Sequence, residues 1–108
     1  MKKVAVVILN WNGLNLLKEF LPSVCAYTPA DMADVVVADN GSTDGSVDWL
    51  KTHHPEVVVL EMKENHGYAR GYNLAIKQLT HPYIVLLNSD VEASPGWLEP
   101  LVDFCENR

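Results

Sequence analysis

The sequence predicts an α/β domain built on a mainly parallel sheet with helices on both faces, and three observations carry that expectation. Short apolar runs rich in β-branched residues recur at residues 4–9, 35–38, 57–62 and 83–87. Each run stops in a polar loop holding Asn, Asp or Gly, and each is followed by a stretch with helical spacing. Continuous apolar runs of this length suit strands covered on both faces, and their alternation with helices implies parallel pairing through right-handed crossovers. The strand-end loops then gather along one edge of the sheet, where helix N-termini and free backbone N–H groups meet and ligands bind.

Each element follows from local chemistry. Residues 4–9 (VAVVIL) read as a central strand, closed by Asn10-Trp11-Asn12-Gly13. Apolar residues at 14, 16, 17, 20, 21 and 24 form a helical face, with Pro22 expected to kink or end its first half. Thr28-Pro29 closes that segment, and residues 35–38 form a second strand that stops in Asp39-Asn40-Gly41-Ser42. A short helix over 46–54 ends before Pro55, and a third strand follows over 57–62. Residues 68–79 read as a helix with Leu74, Ala75, Ile76 and Leu79 facing inward. His81-Pro82 turns the chain into the fourth strand over 83–87. Ser94-Pro95 reads as a helix entry, serine as cap and proline in the first turn, before a stripe of Trp97, Leu98, Leu101, Val102, Phe104 and Cys105.

Bulk properties narrow the function. At 108 residues with 48% hydrophobic and 20% charged residues, the chain is one domain able to form a core. A net charge of −6 argues against a nucleic-acid partner held by phosphate contacts, and requires any bound phosphate to be met locally by N–H groups or a metal. Cys25 and Cys105 lack metal-type spacing and read as reduced, half-buried thiols of a cytosolic protein; the histidines at 53, 54, 66 and 81 likewise show no metal spacing. The amino end, two lysines before a short apolar run, resembles a signal peptide, but no cleavage-type site follows and the run is too short to span a membrane.

Four loops carry the chemistry. Asn10–Gly13 is a tight turn or a backbone platform for a planar ligand. In the eight polar or glycine residues from Asp39 to Ser46, Asp44 and Ser46 suit a helix cap. Asp39, a charge at a strand tip without an evident local partner, suits ligand binding. The segment from Glu64 to Asn73 places Gly71 inside a helix, which costs up to ~1 kcal/mol relative to alanine and suits close approach of a ligand or neighbouring backbone. Arg70 and Asn73 share one face of that helix. Asn88-Ser89-Asp90 sets a carboxylate beside amide and hydroxyl oxygens, suited to Mg²⁺ or Mn²⁺ sharing phosphate oxygens, or else to an Asx turn; Glu92 is either a second carboxylate or solvated.

In this order, VVILNWNG, VVVADNGSTDGS, ENHGYARGYNLAI and YIVLLNSDVEASPGWLEPLV, the motifs resemble the amino-terminal half of glycosyltransferase family 2, with the GT-A fold. They look closest to its bacterial rhamnosyltransferase-like and cell-surface polysaccharide members. The resemblance implies strand order 3-2-1-4 and inverting transfer from a nucleotide-diphosphate sugar, UDP- or dTDP-linked, to a saccharide or lipid-linked acceptor. It implies that Leu9 and Asn10 contact the base through backbone, and that Asp39 hydrogen-bonds it. Gly41 and Ser42 belong to the same motif, Asn65, Gly67 and Asn73 border the nucleotide, and Asn88 and Ser89 belong to a D-x-D-type loop whose Asp90 binds Mg²⁺ or Mn²⁺. Arg70 is added from the residues themselves.

Three departures shape the expectation. Asn88 replaces the first aspartate of the D-x-D pattern, and Tyr72 stands where some relatives carry a basic residue. The family's general base lies beyond the helix that follows the D-x-D-type loop, so residues 1–108 are expected to be a donor-binding part with little activity alone. The fourth strand is then an exposed edge inviting self-association. The location implied is cytoplasmic, or peripheral at the inner face of the membrane for relatives using lipid-linked acceptors. A non-catalytic nucleotide-sugar-binding or regulatory module is the alternative function; a nucleotidyltransferase fits less well, because Asn10–Gly13 contains no basic residue.

Overall fold

A computed structural model describes residues 2–106. Among them, strands β1 (Val4–Asn10), β2 (Ala33–Asn40), β3 (Val58–Met62) and β4 (Tyr83–Leu87) alternate with helices α1 (Leu14–Tyr27), α2 (Ser46–His53), α3 (Tyr68–Lys77) and α4 (Glu99–Glu106). The sheet is parallel throughout, in the order β3-β2-β1-β4, as the resemblance implies.

The core is split by the sheet into two faces, and β1 supplies both. Val4, Val6 and Ile8 point toward Leu17, Leu21 and Val24 of α1, Leu50 of α2 and Val102 of α4. Ala5 and Val7 point the other way, with Val36 and Ala38 of β2, onto Tyr72 and Ala75 of α3. This period-2 alternation explains why a strand between two helical layers is apolar at every position. Burial is complete along residues 4–8, none of which exceeds 2% exposure.

Several boundaries differ from expectation for physical reasons. Helix α1 runs unbroken through Pro22. Both Pro22 and Lys18, whose carbonyl loses its helical donor, lie on the exposed face, where water can replace the missing N–H. Residues 94–97 form a turn instead of a helix start: Trp97 N donates to the Ser94 carbonyl, Gly96 has φ +75°, and α4 begins only at Glu99. Pro followed by a positive-φ Gly is turn chemistry, and it outcompetes the Ser-Pro helix signal. The turn is pinned to α1 by Ala93 N donating to Ser23 Oγ at 2.9 Å and Trp97 Nε1 donating to Thr28 Oγ1 at 3.2 Å. Of the stripe on the last helix, Leu98 and Val102 are buried, whereas Leu101, Phe104 and Cys105 are exposed. On α3 the buried positions are Gly71, Tyr72 and Ala75, while Leu74 and Ile76 are half-buried and Leu79 packs from beyond the helix end.

Leu21 is 1% exposed at the centre of the α1 face. Leu21→Ala is expected to destabilise the domain by about 2–5 kcal/mol in urea unfolding; a loss below about 1 kcal/mol would show that α1 does not pack as described.

Candidate active site

β1 and β4 pair only as far as Ile8 and Leu87, and beyond that point they part. The order 3-2-1-4 makes this the topological switch point, where parallel sheets open a crevice at the strands' carboxyl ends. Tyr72, buried on α3, stands in the opening. Its hydroxyl donates to the Leu87 carbonyl at 2.9 Å and accepts from Leu9 N at 3.4 Å, so one side chain serves the backbone groups that the strands no longer offer each other. Burial pushes the Tyr72 phenol up to about 12, which keeps its proton available to Leu87. Tyr68 packs edge-on against Tyr72 with ring centroids 4.9 Å apart, and its hydroxyl donates to Asn88 Oδ1 at 3.0 Å.

The resulting open cleft of about 390 Å³ is lined by the apolar and aromatic residues Leu9, Trp11, Leu16, Tyr68 and Tyr72 together with the polar residues and glycine Asn40, Asn65, Gly67, Asn88, Ser89 and Asp90. Asp90 is the one charged lining residue, and none of the hydrogen bonds or ion pairs among the described residues engages it. Trp11 and Tyr68 are 54% and 65% exposed, large rings left uncovered at the rim.

Asp39 behaves differently from expectation. It has one partner near in sequence and one distant: Oδ2 accepts from Ser42 N at 2.9 Å, and Oδ1 accepts from Asn10 Nδ2 at 2.9 Å. At 3% exposure it anchors the first two strand-end loops to each other. Asn10 Nδ2 also donates to Ser42 Oγ, Asn12 N donates to that same hydroxyl at 2.8 Å, and Thr43 N donates to Asn12 Oδ1 at 2.7 Å.

Asp44 takes the expected capping role and extends it. One carboxylate accepts from Leu14 N, the first residue of α1, and from the backbone N–H and hydroxyl of Ser46, the first residue of α2. Neither helix has a side-chain cap from its own N-cap glycine, so Asp44 serves both. Burial opposes its ionised form, but the hydrogen bonds from Ser46 and Leu14 outweigh it and hold the carboxyl below its usual value.

A residue the sequence reading passed over joins the third loop. Asn40, 2% exposed, donates to Asn65 Oδ1 at 3.0 Å and to the Gly67 carbonyl, and its Oδ1 accepts from His66 N. Gly71 leaves room for this same residue: a Cβ there would stand 3.0 Å from both Asn40 Nδ2 and a Leu9 methyl, so those side chains would have to give by a few tenths of an ångström. The neighbours are side chains, whereas the sequence suggested a ligand or backbone. The signal for Asn40 was its place at the tip of a buried strand, where an amide can serve donors and acceptors together.

The site residues expected from sequence therefore fall into three groups. Leu9, Asn65, Gly67, Asn88, Ser89 and Asp90 line the cleft. Asp39, Gly41 and Ser42 border a separate hollow of about 380 Å³ alongside β2 and α2, with Asn10 bonded behind them. Arg70 and Asn73 lie exposed on α3, outside both linings.

Two stability outcomes follow. Gly41 has φ +82° and a Cβ there would lie 2.7 Å from the Glu64 carbonyl carbon, whereas Gly45, at φ +85°, faces open space. Gly41→Ala should therefore cost more than the roughly 1 kcal/mol of backbone strain expected of Gly45→Ala in denaturant unfolding; equal losses would mean that loops two and three do not touch there. For Asp44 the folded value lies below the ordinary 3.8, so its ionised form adds stability that is complete above that value and lost as pH falls through the folded one. Asp44→Asn, which removes the charge and one acceptor oxygen but keeps the other, should thus destabilise at pH 7 by less than the roughly 1 kcal/mol of a fully lost cap, and the gap to the parent should narrow as pH falls below about 4.

Comparison with known proteins fits this geometry. The family profile described as Glycosyl transferase family 2 matches residues 5–108. An N-acetylglucosaminyl-diphospho-decaprenol L-rhamnosyltransferase of Mycobacterium tuberculosis is 32% identical over 109 residues, covering 91% of this chain and 35% of that protein. The uncharacterized glycosyltransferase YfnE of Bacillus subtilis is 30% identical over 108 residues, covering 98% of this chain and 28% of that protein. The chain thus spans about a third of the length of the curated relatives it matches. Among solved structures, the mannosyltransferase PcManGT from Pyrobaculum calidifontis, in complex with GDP-Man and Mn²⁺, superposes with a TM-score of 0.71 at 30% identity, over 83% of this chain and 28% of that one. S. aureus TarS 1-349 in complex with UDP-GlcNAc shares the fold, with a TM-score of 0.84 at 23% identity over 99% of this chain and 32% of that one. With the sheet order, the switch-point cleft and the family profile in agreement, the chain belongs to glycosyl transferase family 2.

Proposed function

We propose that this chain is the donor-binding part of an inverting glycosyltransferase, holding a UDP- or dTDP-linked sugar in the cleft between β1 and β4. The observation that carries the reading is the mixed lining of that cleft. Its aromatic residues, with Trp11 and Tyr68 uncovered, suit planar rings, and its amide, hydroxyl and carboxylate groups suit a sugar and a diphosphate. The names of solved relatives support the class of ligand, since they include complexes with GDP-Man, UDP-GlcNAc and UDP.

A divalent cation fits the residues present. The lining contains one carboxylate and no cationic side chain, so a diphosphate entering it meets only negative charge unless a metal accompanies it. Asp90, with Ser89 and Asn88 beside it, would hold Mg²⁺ or Mn²⁺, ions that take few protein ligands and complete their shell with phosphate oxygens. When bound, the ion would neutralise charge building up on the departing nucleotide diphosphate. PcManGT is a relative solved with Mn²⁺.

The chain's own residues supply positioning. Leu9 and Asn10 present the end of β1 to the base, and Asp39, already bonded to Asn10 and Ser42, fixes that end in place while Gly41 holds loop two against loop three. Asn65 and Gly67 set the N-terminus of α3 beside the diphosphate, where its free N–H groups favour negative charge. Arg70 and Asn73, solvent-facing on α3, reach the donor only at its periphery. In this reading the base that deprotonates the acceptor hydroxyl lies outside these residues, so the isolated chain binds donor without transferring sugar. The acceptor is a saccharide or lipid-linked saccharide of cell-surface polysaccharide synthesis, handled in the cytoplasm or at the membrane's inner face. No helix among the described residues is long and apolar enough to cross a membrane.

Calorimetric titration with UDP and dTDP is expected to show binding strengthened by Mn²⁺, with the metal-dependent gain removed by Asp90→Ala. Metal-independent binding unaffected by Asp90→Ala would overturn the metal assignment, and no binding of either nucleotide at millimolar concentration would overturn the donor site. A second outcome concerns β4, whose outer edge pairs with no strand among the described residues and leaves Leu86 50% exposed. Two copies are expected to pair along it, giving a dimer by light scattering at ~100 μM that Leu86→Lys disperses; a monodisperse monomer at that concentration refutes the pairing.

A further inference from the structure

The far end of the sheet, where the strands begin, carries a second constellation that the donor reading does not use. Cys25 near the end of α1, His54 just after α2 and Glu56 before β3 each offer a ligand atom, and these atoms all lie within 4.8 Å of one another. The sequence shows no metal-type spacing here because the residues come from two segments that only the packing of α1 beside the α2–β3 turn brings together. His54 Nδ1 is 3.1 Å from Glu56 Oε1. Two ligands of a tetrahedral zinc ion with bonds near 2.0–2.1 Å stand roughly 3.3 Å apart, so that pair is already spaced for one. The Cys25 leg needs only a modest closure, and Glu56, with 59% of its side chain exposed, is free to supply it.

We propose that Cys25, His54 and Glu56 form a binding site for Zn²⁺, or a cation of similar borderline softness, separate from the donor cleft. A thiolate, an imidazole and a carboxylate are the three ligand types zinc prefers, and three protein ligands leave a position for water. Cys25 and Glu56 also line a pocket of about 70 Å³, enough for an ion and a water molecule. Lys2 borders the same pocket but its charge is engaged by Asp34, with Nζ 3.2 Å from Oδ1. The His54 ring is held from its other side by Trp49, with centroids 5.2 Å apart, so its orientation is set before any ion arrives.

The same surroundings argue against a nucleophilic role for the cysteine. Burial, then the Glu56 charge and hydrogen bond, push the Cys25 thiol up to about 12, the reverse of an activated thiolate. A bound cation would turn the repulsion between thiolate and carboxylate into shared attraction. It would also tie the end of α1 to the turn that feeds β3, so loading the site should stabilise the fold.

The test uses the chain as it is, with Co²⁺ as a spectroscopic stand-in and Zn²⁺ as competitor. The expected result is one Co²⁺ per chain with a near-ultraviolet thiolate-to-metal charge-transfer band, displaced by Zn²⁺, and a melting temperature raised by Zn²⁺. Cys25→Ser should abolish the band and Cys105→Ser should keep it. Glu56→Gln, at an exposed side chain, should weaken Zn²⁺ binding by about tenfold or more while circular dichroism stays unchanged, and His54→Gln should weaken it at least as much. No charge-transfer band, a band that survives Cys25→Ser, or a band lost in Cys105→Ser would each overturn the site.

Discussion

The feature on which the site depends is the parting of β1 from β4 and the phenol that makes it tolerable. Two parallel strands that separate leave backbone groups without partners, and burying such groups unpaired costs on the order of 1–3 kcal/mol each. Tyr72 meets that cost with one hydroxyl, acting as donor to Leu87 and acceptor from Leu9. The strand ends can therefore diverge and open a cleft while Leu9 N and the Leu87 carbonyl keep a partner. Tyr68 packs on that phenol and reaches Asn88, so aromatic and polar residues of the cleft share one support.

Around this support, polar side chains do the work usually left to backbone turns. Asn10, Asp39 and Ser42 join the loops after β1 and β2, and Asn40 joins the loop after β3 to the end of β2. Buried networks of this kind gain most when their members are satisfied; Asp39 and Asn40 are engaged through both side-chain heteroatoms, whereas Asn10 is engaged through Nδ2 and its buried Oδ1 has no partner among the described residues. The glycines follow from the same crowding. Gly41 is favoured both by its positive φ and by the Glu64 backbone a Cβ would strike, and Gly71 by the side chains of Asn40 and Leu9 packed against it.

Fold class was legible because β1 is apolar from Val4 to Leu9 and each strand run ends in turn chemistry, whereas the strand order was legible only through the family resemblance. The edge of the sheet that carries the site was legible for the first reason, since the strand-end loops of a parallel sheet gather there. What escaped was whatever depended on long-range packing. Asp39 looked unpartnered because Asn10 lies far from it in sequence. Tyr72 looked like a departure from a basic position, although its hydroxyl serves two strands. Ser94-Pro95 looked like a helix entry because the positive φ of Gly96 cannot be read from a Ser-Pro pair alone. The Cys25, His54 and Glu56 cluster had no signature, since its members become neighbours only when α1 settles beside α2.

The double duty of Asp44 bears on how such a chain can change over generations. Because one carboxylate caps both α1 and α2, the loops that carry Asn10 and Asp39 share an anchor 30 residues away from one of its dependents. Insertions or substitutions that refit one loop to a new ligand would shift the carboxylate away from the other helix. The two loops are therefore expected to drift together, as a linked pair.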